Sequence, residues 1–296
     1  MCIRDSLKTF FFLDEGLLKA VNGVSFNLRK SEVIGIIGES GCGKSVLVRS
    51  LINIIRKPGY IISGSIKLIQ DDGNEVNIAK LKSTDRKLSK IRGREISIII
   101  QEPMTSLSPV HTVGSQILES LLLHQKISVS EAKEATLEMI NAVGIPNPGQ
   151  RYHEYPYQLS GGMRQRIMIG MALSCNPKIL IADEPTTALD VSVQQQVLRL
   201  IRDLQKERDT TILFVTHDLG VVAKLCDRVS LMHSGMILEQ GKVSDVFQSP
   251  SHPYTRSLLE AIPRYDKPRE KLSPVAKDLQ TQLIREAYEY DRQRRI

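Results

Sequence analysis

Residues 32 to 45 read "EVIGIIGESGCGKS". A short apolar run leads into a glycine-rich turn, and an apolar-periodic segment follows, which predicts a buried strand, a loop and a helix. Three glycines let successive backbone N–H groups converge on an anion, and the helix directs its positive end to the same point. The stretch therefore predicts a phosphate-binding loop made of Gly38, Glu39, Ser40, Gly41, Cys42, Gly43, Lys44 and Ser45, in which Lys44 neutralises the outer phosphates and Ser45 binds Mg²⁺.

Three further apolar runs, "EISIII" (95–100), "KILIAD" (178–183) and "TILFVTHD" (211–218), are typical of strands buried on both faces of a parallel sheet. By contrast, "LKAVNGVSFNL" (18–28) alternates apolar and polar residues, and "GSIKLIQDDGNEVNI" (64–78) carries a hairpin signal. These two stretches predict a small antiparallel sheet.

Helical periodicity fills two of the intervening stretches. One predicted helix begins after the N-cap Asp190, and residues 113–145 are helical with a break at "ISVS" (127–130). The second stretch interrupts the regular succession of predicted strands, which predicts an inserted helical subdomain.

Polar residues follow the ends of the buried runs. Asp183 and Glu184 end one run, and two adjacent carboxylates are costly to bury unless a cation or a proton transfer uses them. Asp183 is predicted near Mg²⁺, and Glu184 as the general base that polarises the attacking water. The alternative is a solvated acidic turn. Gln101 and His217 end two other runs; alone, each is an ordinary loop or surface residue, but ligands of open α/β sheets bind outside the carboxyl ends of strands. We expect one site to gather them.

A second glycine loop lies in "QLSGGMRQR", residues 158 to 166. Ser160, Gly161 and Gly162 offer a hydroxyl, unhindered N–H groups and a helix N-terminus, which together favour an anion. One phosphate loop already serves this chain's own ATP, so the second loop is predicted to contact the γ-phosphate held by a partner in a head-to-tail dimer. The alternative is a helix N-cap with a glycine turn.

The composition argues against several classes of protein. With 296 residues, 41% of them hydrophobic, the chain can form a core, and no apolar run approaches the roughly 18 to 20 residues of a membrane span. The net charge of +7 is spread without interleaved aromatics, which favours an ordinary surface, or one lying near anionic lipid, over nucleic-acid binding. The four cysteines lack the spacing of a metal site or disulfide framework and are expected to be free thiols.

The motifs "GESGCGKS", Gln101, "LSGGM", "ILIADEP", "ALD" and His217, in this order, resemble the nucleotide-binding domain of ATP-binding cassette (ABC) transporters. The resemblance implies an α/β P-loop NTPase fold with a mixed, mainly parallel core sheet, a small antiparallel β subdomain and an inserted α-helical subdomain. It implies ATP and Mg²⁺ as ligands. Gln101 then contacts Mg²⁺ and the transmembrane partner, residues 188 to 190 with Asp190 form the loop across the dimer, His217 contacts the γ-phosphate, and Phe10 stacks on adenine.

Within that family, "QEPMTSLSPVHTVGSQI" (101–117) and "SPSHPYTRSLLEAIP" (249–263) look like the ATPase subunits of oligopeptide, dipeptide and nickel importers. The implied partners are two transmembrane permease subunits, a second ATPase or a copy of this chain, and indirectly an extracytoplasmic solute-binding protein, with the chain peripheral on the cytoplasmic face of the bacterial inner membrane. Nickel, glutathione or another small solute remain alternatives to peptide. A soluble ABC ATPase and an ordinary phosphate-loop kinase or GTPase are the rivals, but the second would need no "LSGGM".

The predicted domain limits follow from these patterns. Residues 1–6 are expected to be a non-native leader, residues 7–247 an ABC ATPase domain with its helical subdomain at about 103–170, and residues 248–296 a proline-marked extension. Many members of the importer group end in a cysteine-rich segment that holds an iron–sulfur cluster. No cysteine follows Cys226 here, so we expect no cluster.

Overall fold

A computed structural model describes residues 2–82, 84–100, 106–186 and 189–261, together with residues 279, 281, 283, 285 and 286. The chain divides into two compact units. The first comprises Met1–Asn27, Ile34–Lys80 and Val215–Ile296, and the second comprises Leu28–Val33 and Leu81–Phe214. Among the described residues, no helix combines the length and the apolar character needed to cross a bilayer.

An antiparallel sheet in the first unit confirms the predicted β subdomain. Its strand order is β2-β1-β4-β5, with β1 at Cys2–Leu13, β2 at Gly16–Asn27, β4 at Gly59–Ile69 and β5 at Glu75–Asn77. The hairpin predicted at "DDGN" joins β4 to β5, pairing Leu68 with Val76. β1 also reaches further back than expected, because Cys2 pairs with Asn27 across the sheet. Residues 2–6 thus lie in β1. That residues 1–6 are a non-native leader stays a prediction.

A second group of strands in the first unit surrounds the start of the phosphate loop. β3 (Val33–Ile37) is buried throughout and pairs in parallel with β9 (Arg228–His233), which pairs antiparallel with β10 (Met236–Lys242). Up to residue 261, the described helices of this unit are α1 (Lys44–Leu51), α8 (Leu219–Leu225), α9 (Val243–Gln248) and α10 (Pro253–Glu260), with a 3-10 turn at Ile78–Lys80. Continuous burial of β3 explains its run of β-branched residues.

The second unit carries the other buried strands that the sequence predicts, in the order β8-β7-β6. They are β6 (Ile96–Ile99), β7 (Ile179–Asp183) and β8 (Thr211–Thr216), which begins in this unit. β6 and β7 are parallel and pair Ile99 with Ala182. Their carboxyl ends consequently lie at the same edge, where Asp183 ends β7.

Helices account for most of the remaining second unit: α2 (Arg86–Ile91), α3 (Val113–His124), α4 (Val129–Ala142), α5 (Pro148–Arg151), α6 (Gly161–Leu173) and α7 (Val191–Arg208), with a 3-10 turn at Pro156–Gln158. The predicted break between α3 and α4 is present, because Ser128 and Glu131 form a reciprocal capping box that starts α4. Asp190 caps α7 as predicted, accepting from the Val193 N–H at 2.9 Å. The limits of a helical subdomain at 103–170 stay a prediction.

Three of the four cysteines, Cys42, Cys175 and Cys226, are buried free thiols, in line with the expectation from their spacing. The side chain of Cys2 lies outside the described residues. Burial raises the pKa of the Cys42 thiol, and the nearby Lys44 only partly opposes that rise. Cys42 is therefore a neutral thiol in its loop.

Glu239 on β10 fixes the segment that leads into α10. Its carboxylate accepts from the Ser251 N–H at 2.8 Å, the Ser251 hydroxyl at 2.6 Å and the His252 N–H at 3.0 Å. Burial acts to raise the pKa of Glu239, but hydrogen bonds, led by that of the Ser251 side chain, outweigh it and lower the pKa to about 2. Because the folded pKa lies below the unfolded value, this contact stabilises the fold above about pH 4.5 and is lost as the pH falls towards 2.

The Glu239→Gln variant should therefore unfold more easily at pH 7, by about 2 kcal/mol, because an amide oxygen accepts these hydrogen bonds less strongly than a carboxylate. Urea titrations at pH 7 and pH 3 measure the effect, and the difference between variant and wild type should shrink at pH 3. Glu207→Gln, on the exposed face of α7, is the control. Equal free energies of unfolding for wild type and Glu239→Gln at pH 7 would contradict the assignment.

Candidate functional site

The phosphate loop lies between β3 and α1, and its glycines have separate structural reasons. Gly41 and Gly43 have φ of +81° and +105°, a conformation that residues with a side chain rarely adopt. A Cβ at Gly38 would collide with the carbonyl oxygen of Met232, and one at Gly43 with the carbonyl oxygen of Ala20. The sequence predicted glycines for close approach to an anion, and the structure adds that two of them pack against neighbouring backbone.

The side chain of Lys44 lies inside the phosphate loop and contacts the residues at the start of the loop. The Lys44 side chain is 6% exposed, and its Nζ donates to the carbonyl oxygens of Gly38 at 2.7 Å and Glu39 at 2.9 Å. α1 begins at Lys44 without a side-chain cap, so its first N–H groups are directed into the loop. Glu39, Ser40 and Gly41 form the exposed tip. A buried ammonium, uncapped helix amides and an open tip fit an anion such as a phosphate chain.

His217 is the other predicted site residue of the first unit. It follows β8 directly and is exposed, and Asp218 after it caps α8 by accepting from the N–H groups of Gly220 and Val221 at 2.8 and 3.2 Å. The cap fixes the backbone directly after the exposed His217. The predicted placement at a strand end is confirmed, whereas its contact with a γ-phosphate stays a prediction.

Phe10 does not have the exposure that adenine stacking requires. Its ring is 3% exposed and lies 5.7 Å from Lys19 Nζ, whereas Phe12 is 54% exposed and lies edge-on to Tyr60. A stacking ring needs an open face, so the assignment of Phe10 is wrong on steric grounds. The run "FFF" shows an aromatic strand but not which ring points inward, and Phe12 is its exposed ring.

We expect Phe10→Ala to lower the free energy of unfolding by about 3 to 4 kcal/mol, because it empties a core position. Phe12→Ala, the exposed control, should cost less than about 1 kcal/mol. Urea denaturation measures both. A Phe10→Ala protein of wild-type stability that had lost ATP affinity would restore the stacking role.

The carboxylate pair lies at the end of β7 in the second unit. Asp183 is 4% exposed, and Glu184, half-buried, has φ of +48°. A left-handed backbone costs a non-glycine residue of the order of 1 kcal/mol, and it persists only where surrounding contacts impose it. This strain, which no sequence pattern signalled, turns Glu184 away from the direction of the strand at the predicted catalytic position.

Gln165 is a site residue that sequence reasoning missed. Its side chain is 2% exposed and Nε2 donates a short hydrogen bond to the carbonyl oxygen of Pro185, the residue after Glu184. Gln165 belongs to α6, the helix that begins at the second glycine loop. The turn that carries Glu184 is thus tied to the helix that carries Ser160. A glutamine five residues after a serine has no sequence signature, so only the contact identifies it.

The two glycines of the second loop differ in their surroundings. A Cβ at Gly162 would lie 2.8 Å from Val193 Cγ1, so Gly162 packs α6 against the start of α7. A Cβ at Gly161 would meet nothing within 4 Å. Ser160 caps α6, its Oγ accepting from the Met163 N–H at 3.3 Å. The simpler alternative of an N-cap therefore accounts for Ser160 and Gly162, but contacts within the described residues give Gly161 no steric reason to be glycine.

The predicted site residues divide between the two units. The first unit holds Gly38–Ser45 and His217, and the second holds Asp183, Glu184, Asp190 and residues 160–162. In the second unit, the hydrogen bond from Gln165 to Pro185 connects α6 to the turn that carries Glu184. The packing of Gly162 against Val193 connects the second glycine loop to the start of α7. Gln101 and Ala188 lie outside the described residues. The expectation of one gathered ATP site stays a prediction.

Known families match over most of this architecture. A family model described as "ABC transporter" matches residues 21–187, and one described as "Oligopeptide/dipeptide transporter, C-terminal region" matches residues 238–285. Among solved structures, the chain is similar to the ATP-binding cassette MJ0796 in a dimeric post-hydrolysis state bound to ADP and Pi. That match has a TM-score of 0.71 and 26% identity, and it covers 82% of this chain and 99% of the other.

Two bacterial relatives are similar along most of the chain. The oligopeptide transport ATP-binding protein AppD of Bacillus subtilis (strain 168) is 47% identical over 272 residues, which covers 92% of this chain and 81% of that protein. The dipeptide transport ATP-binding protein DppD of the same organism is 48% identical over 263 residues, covering 88% and 76%. Matches of this extent, on a chain with a phosphate loop, a carboxylate turn and a second glycine loop, show that it belongs to the ABC transporter family of ATP-binding proteins.

Proposed function

We propose that this protein is the ATP-hydrolysing subunit of a bacterial ABC importer that takes up peptides of the oligopeptide or dipeptide type. The observation that carries the proposal is the pairing of two glycine loops in one chain. The loop at Gly38–Ser45 suits its own nucleotide, and the loop at Ser160 leaves an open glycine at an exposed helix N-terminus. A phosphate-loop kinase or GTPase has no use for the second loop.

Each residue of the proposed site has a chemical role. The amides of residues 38–45 and the Lys44 ammonium bind the phosphates, and Glu184 accepts the proton of the attacking water. The donor set fits Mg²⁺: the Ser45 hydroxyl, the Asp183 carboxylate and the Gln101 amide oxygen would hold the ion, which supplies positive charge at the phosphates when bound. His217 donates to the γ-phosphate.

The second loop completes the site of another ATPase subunit. Ser160 and Gly161 present a hydroxyl and backbone N–H groups at the positive end of α6, where a partner's γ-phosphate binds. Asp190, at the start of α7, faces the same partner. ATP then stabilises the closed dimer by mass action and hydrolysis releases it. MJ0796, described as dimeric and bound to ADP and Pi, supports this arrangement.

The transported solute follows from the relatives rather than from the ATP site. AppD and DppD are named for oligopeptide and dipeptide transport, and the C-terminal family match is to the oligopeptide/dipeptide group. The glutathione import ATP-binding protein GsiA of Escherichia coli (strain K12) is 46% identical over 260 residues, which covers 88% of this chain but only 42% of GsiA, and it makes glutathione the second candidate. We place the protein on the cytoplasmic face of the inner membrane, bound to two permease subunits that receive solute from a binding protein.

Affinity purification from detergent-solubilised membranes tests this assembly. Cells expressing the whole gene neighbourhood provide the tagged chain, and mass spectrometry identifies what binds it. Multi-span subunits and a peptide-binding protein encoded nearby would support the importer. Only soluble partners or nucleic acid would overturn the transport role and favour a soluble ABC ATPase.

A further inference from the structure

Tyrosine side chains gather directly before the second glycine loop. Of the four phenylalanine and tyrosine residues in the second unit, three lie at positions 152, 155 and 157, and the fourth is the buried Phe214. Tyr152 and Tyr155 are half-buried, whereas Tyr157 is 70% exposed and lies three residues before Ser160. A tyrosine ring at the surface is a typical contact for a ligand or a partner.

Tyr157 stacks on Tyr155. The two ring centroids lie 5.6 Å apart, and the ring planes are inclined to each other by only 11°. One face of Tyr157 therefore meets Tyr155, and because most of the side chain is exposed, the other face is open. Parallel, offset aromatic rings attract each other, and a third flat ring can add to such a stack. The pair thus presents one open ring face to a flat aromatic ligand.

Hydrogen bonds fix the backbone that carries the pair. The Glu154 carbonyl oxygen accepts from the Val113 N–H at 2.9 Å, and the Glu154 carboxylate binds the Arg151 guanidinium at 2.7 Å. The Tyr155 N–H donates to Oε1 of Gln158 at 2.8 Å, and the Gln158 N–H donates back to the Tyr155 carbonyl oxygen at 3.0 Å. The rings are therefore placed before any ligand binds, which lowers the cost of ordering them on binding.

The pair lies within reach of a nucleotide at the second glycine loop. Tyr157 belongs to the 3-10 turn Pro156–Gln158, and three residues of chain span at most about 11 Å up to Ser160. In the proposed function, Ser160 and Gly161 receive the γ-phosphate of an ATP molecule that a second ATPase subunit holds. The ribose and the two other phosphates of that ATP span a comparable distance, so its base can reach the open face of Tyr157.

We propose that Tyr155 and Tyr157 form a stacking platform for the adenine ring of the ATP that a second ATPase subunit holds, with the open face of Tyr157 against the base. The second glycine loop recognises only phosphate, whereas an aromatic face binds the flat base. Together the two features contact both ends of one nucleotide, so closure of the dimer responds to ATP and not to phosphate alone. This inference rests on the proposed function, because it needs a second subunit's ATP at Ser160.

The Tyr157→Ala variant tests the proposal in the assembled transporter, since it removes the ring and leaves the glycine loop unchanged. We expect the KM for ATP at the site that this loop completes to rise about 5- to 100-fold, the usual effect of removing a base–aromatic stack. The kcat should stay within about twofold, because Ser160 and Glu184 are intact. Tyr157→Phe, which restores a ring, should return the KM towards the wild-type value. Leu123→Ala, at a side chain that is 71% exposed in the same unit, is the matched control.

Photolabelling shows directly what lies against the base. The Glu184→Gln complex is incubated with Mg²⁺ and an ATP analogue that carries a photoreactive azide on adenine, irradiated, and digested with trypsin. Cleavage after Arg151 and Arg164 releases residues 152–164 as one peptide. We expect label on this peptide, and we expect Gly161→Asp, which opposes closure of the dimer, to abolish it.

The outcomes separate this inference from the proposed function. An unchanged KM in Tyr157→Ala overturns the inference, and so does a lower kcat at unchanged KM, which would assign the turn to the geometry of the glycine loop. Label found elsewhere in the chain but never on residues 152–164 also overturns it and favours a permease segment against the pair. An unmodified chain that takes up no label at all would instead overturn the proposed function. A raised KM together with label on residues 152–164 supports the stacking platform.

Discussion

Replacing Glu184 with glutamine should lower ATP hydrolysis at this chain's site by at least about 100-fold, because general-base catalysis is typically worth 10²- to 10⁴-fold. The amide has nearly the same shape as the carboxylate, so the strained turn at φ +48° and the contact between Gln165 and Pro185 should survive. The affinity for ATP should stay within about threefold of wild type, since the phosphate loop is untouched. A closed, ATP-bound dimer should therefore accumulate.

Phosphate release and size-exclusion chromatography with light scattering measure the two halves of this prediction. Glu207→Gln, an exposed glutamate on α7, is the control and should hydrolyse ATP as wild type does. Normal turnover by Glu184→Gln would remove this residue from the base role. Loss of ATP binding would instead assign it to nucleotide affinity.

The second large effect is expected from Gly161→Asp. Space is open around Gly161, and an acidic residue in the first turn of a helix interacts favourably with the helix dipole, so the folded chain should be no less stable. At a surface that receives a partner's γ-phosphate, however, a new carboxylate opposes like charge at a cost of several kcal/mol. Hydrolysis at the site that this loop completes should fall about 100-fold, while ATP binding to the chain's own loop stays intact.

Gly149→Asp provides a matched control for this charge. Gly149 lies in the first turn of α5 in the same unit, and a Cβ there also meets nothing within 4 Å. Phosphate release is compared for the two variants in the assembled complex, with thermal unfolding as the check on folding. If Gly161→Asp hydrolyses ATP as fast as Gly149→Asp, the second glycine loop serves only its own fold.

Much of the architecture was predictable because strong local patterns agree with the tertiary environment. The run at β3 and the glycine spacing after it predicted strand, loop and helix, and the fold class is confirmed by the solved ABC cassettes. Strand ends were equally informative: Asp183 ends β7 and His217 follows β8, as expected. Periodicity and turn residues suffice for such features, since each is decided by neighbours along the chain.

Features that depend on distant contacts escaped sequence reasoning. The aromatic run at residues 10–12 does not reveal that Phe10 is the ring that faces the core. Positions 38 and 43 require glycine partly because the carbonyl oxygens of Met232 and Ala20 leave no room for a Cβ. Neither Met232 nor Ala20 is a neighbour of the loop along the chain. The Gly235 N–H donates to the carbonyl oxygen of Cys42, a residue 193 positions earlier in the chain. A single sequence carries no record of these proximities, so only coordinates expose them.

In the proposed assembly, ATP hydrolysis by this chain drives peptide uptake. Proteoliposomes that contain the permease subunits, the ATPase subunits and the binding protein, with ATP enclosed on the side of the ATPase, allow accumulation of a labelled oligopeptide to be measured. Uptake with the wild-type chain should require ATP and should disappear with Glu184→Gln. Equal uptake with the wild-type and Glu184→Gln chains would show that hydrolysis by this chain does not drive transport. ATP hydrolysis that is neither stimulated by a supplied peptide nor accompanied by its uptake would show the same.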